Sequence, residues 1–153
     1  MMDFSNDWWE EEEQAISFNT EDIDFELPES EAVVQWIQKI LQQEEKQLLQ
    51  LTYIFCSDEY LFEINQEYLS HDTYTDIITF PYTDPPLIEG DIFISIDRVR
   101  ENARNLGLPF EQELHRVMIH GVLHLCGYPD KTTEEAAQMR AMEDKALALF
   151  EQQ

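Results

Sequence analysis

Basic residues are scarce in this chain: nine Lys and Arg stand against 33 Asp and Glu over 153 residues, a formal net charge of −24. That balance argues against a generic grip on phosphate backbones, which rests on lysine and arginine. Cysteine is nearly absent as well. Cys56 and Cys126 each fall inside an apolar periodic segment and read as reduced, small core residues. No apolar run approaches the roughly 18–20 residues that a membrane-spanning helix needs, and the first residues are acidic where a secretory signal would be basic and apolar. The expectation is a soluble, cytoplasmic protein, long enough for one domain with a sizeable core.

The charge is unevenly spread. Residues 1–31 carry twelve acidic residues and no Lys or Arg, whereas seven of the nine basic residues lie between Arg98 and Lys145. A local cationic patch within an acidic protein is compatible with that distribution. Residues 1–13, with Trp8, Trp9 and the run Glu10 to Glu13, read as an acidic, poorly ordered arm, whose tryptophans suit either a partner or the protein's own surface. Residues 14–153 read as a single folded domain.

Hydrophobic periodicity places the elements. Strands are expected over Ala15 to Leu27, Leu49 to Cys56, Asp76 to Phe80 and Asp91 to Ile96, with a turn at Asp84-Pro85-Pro86. Helices are expected with Ser30 as a cap, with Ser57 or Asp58 as the cap of one through Tyr68, with Asp97 as the cap of one ending at Gly107, from Pro109 through the histidines, and from Thr132 through Phe150. Glu135 sits three residues after Thr132, the spacing of a capping box. Four strands and about five helices imply an α+β fold or a mixed α/β layer.

The densest chemistry is His120-Gly121-Val122-Leu123-His124-Leu125-Cys126-Gly127-Tyr128-Pro129-Asp130. Histidines four apart share a helix face, about 5–6 Å between Cβ atoms, close enough to grip one metal ion. Gly127 falls where a helix C-terminus takes a left-handed residue, so the chain can turn back and offer Asp130 as third ligand. The spacing is similar to that of the metzincin zinc site, except that the general-base Glu after the first histidine is replaced by Gly121. Two His and one Asp with an open fourth position are a catalytic zinc pattern, pointing to a metal-dependent hydrolase that is not a peptidase. An Asp in place of a neutral third ligand should leave bound water less acidic than a three-histidine site would.

Each residue also has a plainer role open to it. Either histidine could be a hydrogen-bonded core residue, and Asp130 could cap the next helix. Cys126 is a weaker ligand candidate, and Glu134, Glu135 and Glu143 compete as oxygen donors. His71 and His115 lack partners at ligand spacing, so solvated or structural roles are favoured. Arg98, Arg100, Arg104 and Arg116 are better read as ion-pair partners of the many carboxylates than as phosphate contacts. Tyr68, Tyr74 and Tyr128 could stack on unpaired bases, although isolated aromatics usually pack.

The segment His120 to Tyr128 resembles the signature of the YbeY family, bacterial rRNA maturation factors proposed to be metal-dependent endoribonucleases. A second block, Asn65, Tyr68, Asp72 and Thr75-Asp76-Ile77-Ile78-Thr79-Phe80-Pro81, is similar too, as is a third, Gly90-Asp91-Ile92-Phe93-Ile94-Ser95. The resemblance implies an α+β fold with a small mixed four-stranded sheet packed with about five helices. It implies one zinc ion on His120, His124 and Asp130, which would be both metal ligands and catalytic residues. It implies single-stranded RNA as substrate, without DNA or membrane partners. The work would be small-subunit rRNA processing at the 16S 3′ end, together with ribosome quality control, with the ribosomal small subunit as partner. An RNA-binding assembly factor with a mainly structural metal is the alternative. Two positions depart from the family pattern. Asp130 stands where the family has a third histidine, and Leu69 where it commonly has an Arg thought to assist the phosphate; Arg98, Arg100, Arg104 or Lys131 are the candidates to substitute.

Overall fold

A computed structural model describes residues 15–71 and 73–152; the acidic arm over 1–13 and Asp72 lie outside the described residues. The elements run β1 (Ile16–Thr20), α1 (Ser30–Gln43), β2 (Gln47–Cys56), α2 (Asp58–Leu69), β3 (Ile77–Pro81), β4 (Leu87–Ser95), α3 (Ile96–Leu106), α4 (Phe110–Leu125) and α5 (Thr133–Glu151). The four strands form one mixed sheet in the order β1-β2-β4-β3, with β1 and β4 parallel to β2 and β3 antiparallel to β4. The α+β reading with five helices holds. Among the described residues no helix is long and apolar enough to cross a membrane.

Strand alternation assigns the two faces. Leu51, Tyr53 and Phe55 of β2 and Ile88, Ile92 and Ile94 of β4 point into the main core with α1, α4 and α5. Cys56 of β2 and Ile78 of β3 point the other way, onto Leu61 and Ile64 of α2, with Phe80 and Phe93 packed against them. This period of two buries both faces of the central strands, which is why they read as near-continuous apolar runs. α1 presents Val33, Trp36, Ile37, Ile40 and Leu41 to the core, and the buried Trp36 indole donates to the Ala146 carbonyl of α5 at 2.7 Å. Both cysteines are free and buried, and burial pushes the Cys126 thiol up to about 11, so neither is a nucleophile at neutral pH.

Several element boundaries move. β1 stops at Thr20 because the chain bends there: Asp22 adopts a left-handed φ of 51°, and its carboxylate accepts from the Ser57 amide and hydroxyl. The expected strand through Leu27 therefore ends seven residues early. α1 begins at Ser30, but its cap is Glu29 and Ser30 caps nothing. Ser57 is the cap of α2, its hydroxyl accepting from the Tyr60 amide at 3.1 Å. The cap of α3 is Ser95, which accepts from the Arg98 amide at 3.0 Å, and not Asp97. The capping box of α5 forms as the Thr132–Glu135 spacing predicts. Because Thr132 fills that cap, Asp130 is left free for other work.

One contact decides where α4 lies. Gly121 faces the sheet so closely that a Cβ there would meet the Ile92 Cδ1 at 2.9 Å and the Ile77 Cδ1 at 3.1 Å. The position after the first histidine thus points into the core, where no general base could serve the site. Installing one in Gly121→Glu should lower the unfolding free energy by about 3 kcal/mol or more, through overpacking and a buried carboxylate. A urea titration reads this, and a variant as stable as its parent would show that the helix is not seated so near.

Candidate metal centre and cleft

α4 carries both histidines on its last turns, their ring centroids 4.5 Å apart and nearly perpendicular. The helix then ends in a Schellman arrangement. Gly127, at φ 106°, donates to the His124 carbonyl at 2.9 Å, and Tyr128 donates to the Leu123 carbonyl at 3.1 Å. Only a residue without a Cβ takes that conformation cheaply. The reversal delivers Asp130 back to the helix, where its Oδ2 lies 3.2 Å from the Nε2 of both His120 and His124. One ligand atom from each of the three residues falls within 4.8 Å of the other two. The structure therefore brings together the three residues that the spacing singled out.

The far sides of both rings are held. His120 Nδ1 faces Glu143 Oε2 of α5 at 2.6 Å, and His124 Nδ1 faces the Tyr128 carbonyl at 2.9 Å. Each ring can donate from Nδ1 to an oxygen and keep the Nε2 lone pair for a cation, the tautomer a ligand histidine needs. Glu143 is buried, and its second oxygen accepts from Arg116 at 2.9 Å, while Arg116 also donates to Asp144 at 2.6 Å. Burial alone would depress the basicity of His120, but hydrogen bonding to Glu143, with that carboxylate's charge and those of Asp130 and Asp76, raises it overall. The donor set fits a divalent cation: two imidazole nitrogens, one carboxylate oxygen, and side chains still 22–37% exposed on the open side.

The cluster sits between two cavities. One, of about 600 Å³, is lined by Asn65, Leu69 and His71 on one side, by His120, His124 and Asp130 on the other, and by β3 between them. The other, of about 390 Å³, holds Asp76, Glu113, Arg116, Arg140 and Glu143 beside His120 and Asp130. Burial raises the carboxyl groups of Asp76 and Glu113 above the usual range, in Glu113 with help from the Asp76 charge. Asp76 touches both cavities, and Asn102 donates to its Oδ2 at 3.5 Å.

Other candidates fall elsewhere. Glu143 is engaged by His120 Nδ1 and lies outside the candidate metal group, and Glu135 is spent on the α5 cap. Cys126 is not part of the metal cluster. His115 is buried against Trp36 and Phe150, where desolvation lowers its pKa, and His71 is exposed on the cleft wall. Arg98 pairs with Asp58 at 2.6 Å and lies over the Tyr74 ring, and Arg100 lies over Phe110. None of Arg98, Arg100, Arg104 or Lys131 lines either cavity. Leu69, in contrast, is on the cleft wall and 40% exposed. Arg140, which sequence reasoning passed over, is the one cavity-lining cation for which no ion pair forms among the described residues. Asp76, Glu113 and Arg140 carried no spacing signal, because three different elements bring them together.

The description Endoribonuclease YbeY belongs to the family that matches residues 15–151. An endoribonuclease YbeY of Flavobacterium psychrophilum is 54% identical over 135 residues, covering 88% of this chain and 96% of its own length. One of Cytophaga hutchinsonii is 50% identical over 138 residues, covering 90% and 96%. The solution structure of a Thermotoga maritima protein superposes with a TM-score of 0.65 at 27% identity, covering 88% of each chain.

The Glu143 contact predicts its own test. Glu143→Gln keeps the shape but loses the charge facing His120 Nδ1, and should weaken metal binding by roughly 10–100-fold. A competition titration with a coloured chelator measures this, and unchanged affinity would mean that the carboxylate does not set the ring.

Proposed function

Because the chain belongs to the YbeY endoribonuclease family, we propose that it hydrolyses single-stranded RNA with one zinc ion held by His120, His124 and Asp130. Its setting would be the cytoplasm and its partner the small ribosomal subunit, where it would mature the 16S rRNA 3′ end and serve ribosome quality control. Residues 14–153 would form the whole catalytic domain, with the arm over 1–13 as an appendage. The observation that carries this reading is the convergence of three ligand atoms within 4.8 Å at the junction of two open cavities.

Zinc would supply positive charge to polarise a phosphoryl oxygen and activate water. The remaining steps belong to side chains. Glu143 and the Tyr128 carbonyl hold the imidazoles in the ligating tautomer. Asp76, its carboxyl raised by burial and its Oδ1 not engaged by Asn102, takes a proton from the attacking water and later returns it to the leaving oxygen. Arg140, which lines the adjoining cavity and forms no ion pair among the described residues, contacts a substrate phosphate. It occupies a different wall from Leu69, so the phosphate would be approached from the α5 side.

A second reading is an RNA-binding assembly factor with a structural ion. It draws on the apolar Leu69 at the cleft wall and on the engagement of Arg98 by Asp58. One experiment separates the two. Purified protein should bind about one metal ion and cut unstructured RNA, and His124→Ala should lose both, with cleavage down by at least about 100-fold. Cleavage that survives complete metal removal would overturn the enzyme reading. Metal binding without any cleavage would favour the assembly factor.

A further inference from the structure

β3 is an edge strand, and its open edge lies in the cleft. In an antiparallel ladder, residues alternate between pairs that exchange hydrogen bonds and pairs whose amides turn outward. The Asp76 carbonyl accepts from the Ser95 amide at 2.9 Å, and the Tyr82 amide donates to the Glu89 carbonyl at 2.9 Å. With Ile78 opposite Phe93 and Phe80 opposite Asp91, the even-numbered residues bond to β4. The backbone amides and carbonyls of the odd-numbered residues point outward, away from β4. The Ile77 amide, the Thr79 amide and carbonyl, and the Pro81 carbonyl have no hydrogen-bond partner among the described residues; the Ile77 carbonyl accepts from the Thr75 hydroxyl at 3.4 Å. Ile77, Thr79 and Pro81 all line the 600 Å³ cleft that His120, His124 and Asp130 border.

Charge makes this edge matter. Of the residues lining the two cavities only Arg116 and Arg140 are cationic, and Arg116 is consumed by Glu143 and Asp144. A chain of net charge −24 with so few free cations at its cleft cannot hold a polyanion mainly by ion pairing. Neutral donors and acceptors beside the metal ligands are the remaining means of grip. Pro81, lacking an amide, closes one end of the row, so the outward backbone donors of β3 are the Ile77 and Thr79 amides.

We propose that the outward edge of β3, at Ile77, Thr79 and Pro81, is a neutral rail that binds the bases and sugars of single-stranded RNA through backbone hydrogen bonds. Bases held on Watson–Crick edges by these amides must be unpaired, so the rail selects against duplex RNA. The inference rests on the endoribonuclease reading above.

Thr79→Pro tests the rail, because it deletes an outward amide while leaving the β4 ladder whole. The expected result is a KM for single-stranded RNA raised by about five- to tenfold, the worth of one lost hydrogen bond, with kcat, metal affinity and the salt dependence of binding unchanged. Thr79→Val keeps the amide, so a KM raised as far as that of Thr79→Pro would assign the loss to the side chain and overturn the rail. Amide hydrogen exchange supplies a readout independent of folding of the proline variant. In the parent protein Ile77 and Thr79 should exchange fast and slow down when a short phosphorothioate RNA is added, while Ile78 and Phe80 stay protected throughout. An RNA-cleaving parent whose Ile77 and Thr79 amides exchange equally fast with and without that RNA overturns the rail alone. So does a Thr79→Pro enzyme with the parental KM. A parent that neither binds nor cuts RNA removes the endoribonuclease reading on which the rail rests.

Discussion

Everything at this site hangs on how closely α4 lies against the sheet. Gly121 lets the helix come within a side chain's thickness of Ile77 and Ile92, and His120 and His124 are thereby set beside the edge strand β3. A larger residue would lift the helix and move both histidines away from the cleft. The same glycine explains why the metzincin-like spacing carries no protease base: the position is turned into the core. The candidate metal ligands and the edge of β3 belong to one packing decision.

The site also shows how a strongly acidic chain keeps a working constellation of charges. Asp144, Arg116, Glu143 and His120 form a line in which each charge is met by its opposite or by an imidazole. Leaving Glu143 buried without Arg116 would strand a carboxylate in the core at a cost of several kcal/mol. Cations are spent inside the protein on holding the ligands, and few remain for the substrate. That allocation separates this cleft from the basic grooves by which most nucleic-acid enzymes attract their substrates.

Two departures from the family pattern gain meaning from the fold. Asp130 replaces a histidine, and the Schellman turn at Gly127 delivers it to the same place, with Oδ2 equidistant from both imidazoles. A carboxylate is shorter than an imidazole, so the turn and not the side chain supplies the reach. Leu69 sets an alkyl side chain beside Asn65 and His71 on one wall of the cleft, and Arg140, which forms no ion pair among the described residues, lines the adjoining cavity from α5.

Much of this was legible in the chain before any tertiary contact. The period-two runs of β2 and β4, the capping box at Thr132 and Glu135, and the histidine spacing with Gly127 are local patterns, fixed by neighbours a few residues away. Local sequence misjudged β1 beyond Thr20, because Asp22 is turned by a bond to Ser57 thirty-five residues on. It also proposed Asp97 as a cap, where the Asp97 carboxylate accepts from the distant Asp58 amide and Ser95 caps α3. The candidate metal ligands His120, His124 and Asp130 were readable because they lie within one helix and its turn. Glu143, Asp76, Arg140 and the outward edge of β3 were decided only by the tertiary structure, since their proximity is made by strand order and helix packing, which no spacing along the chain records.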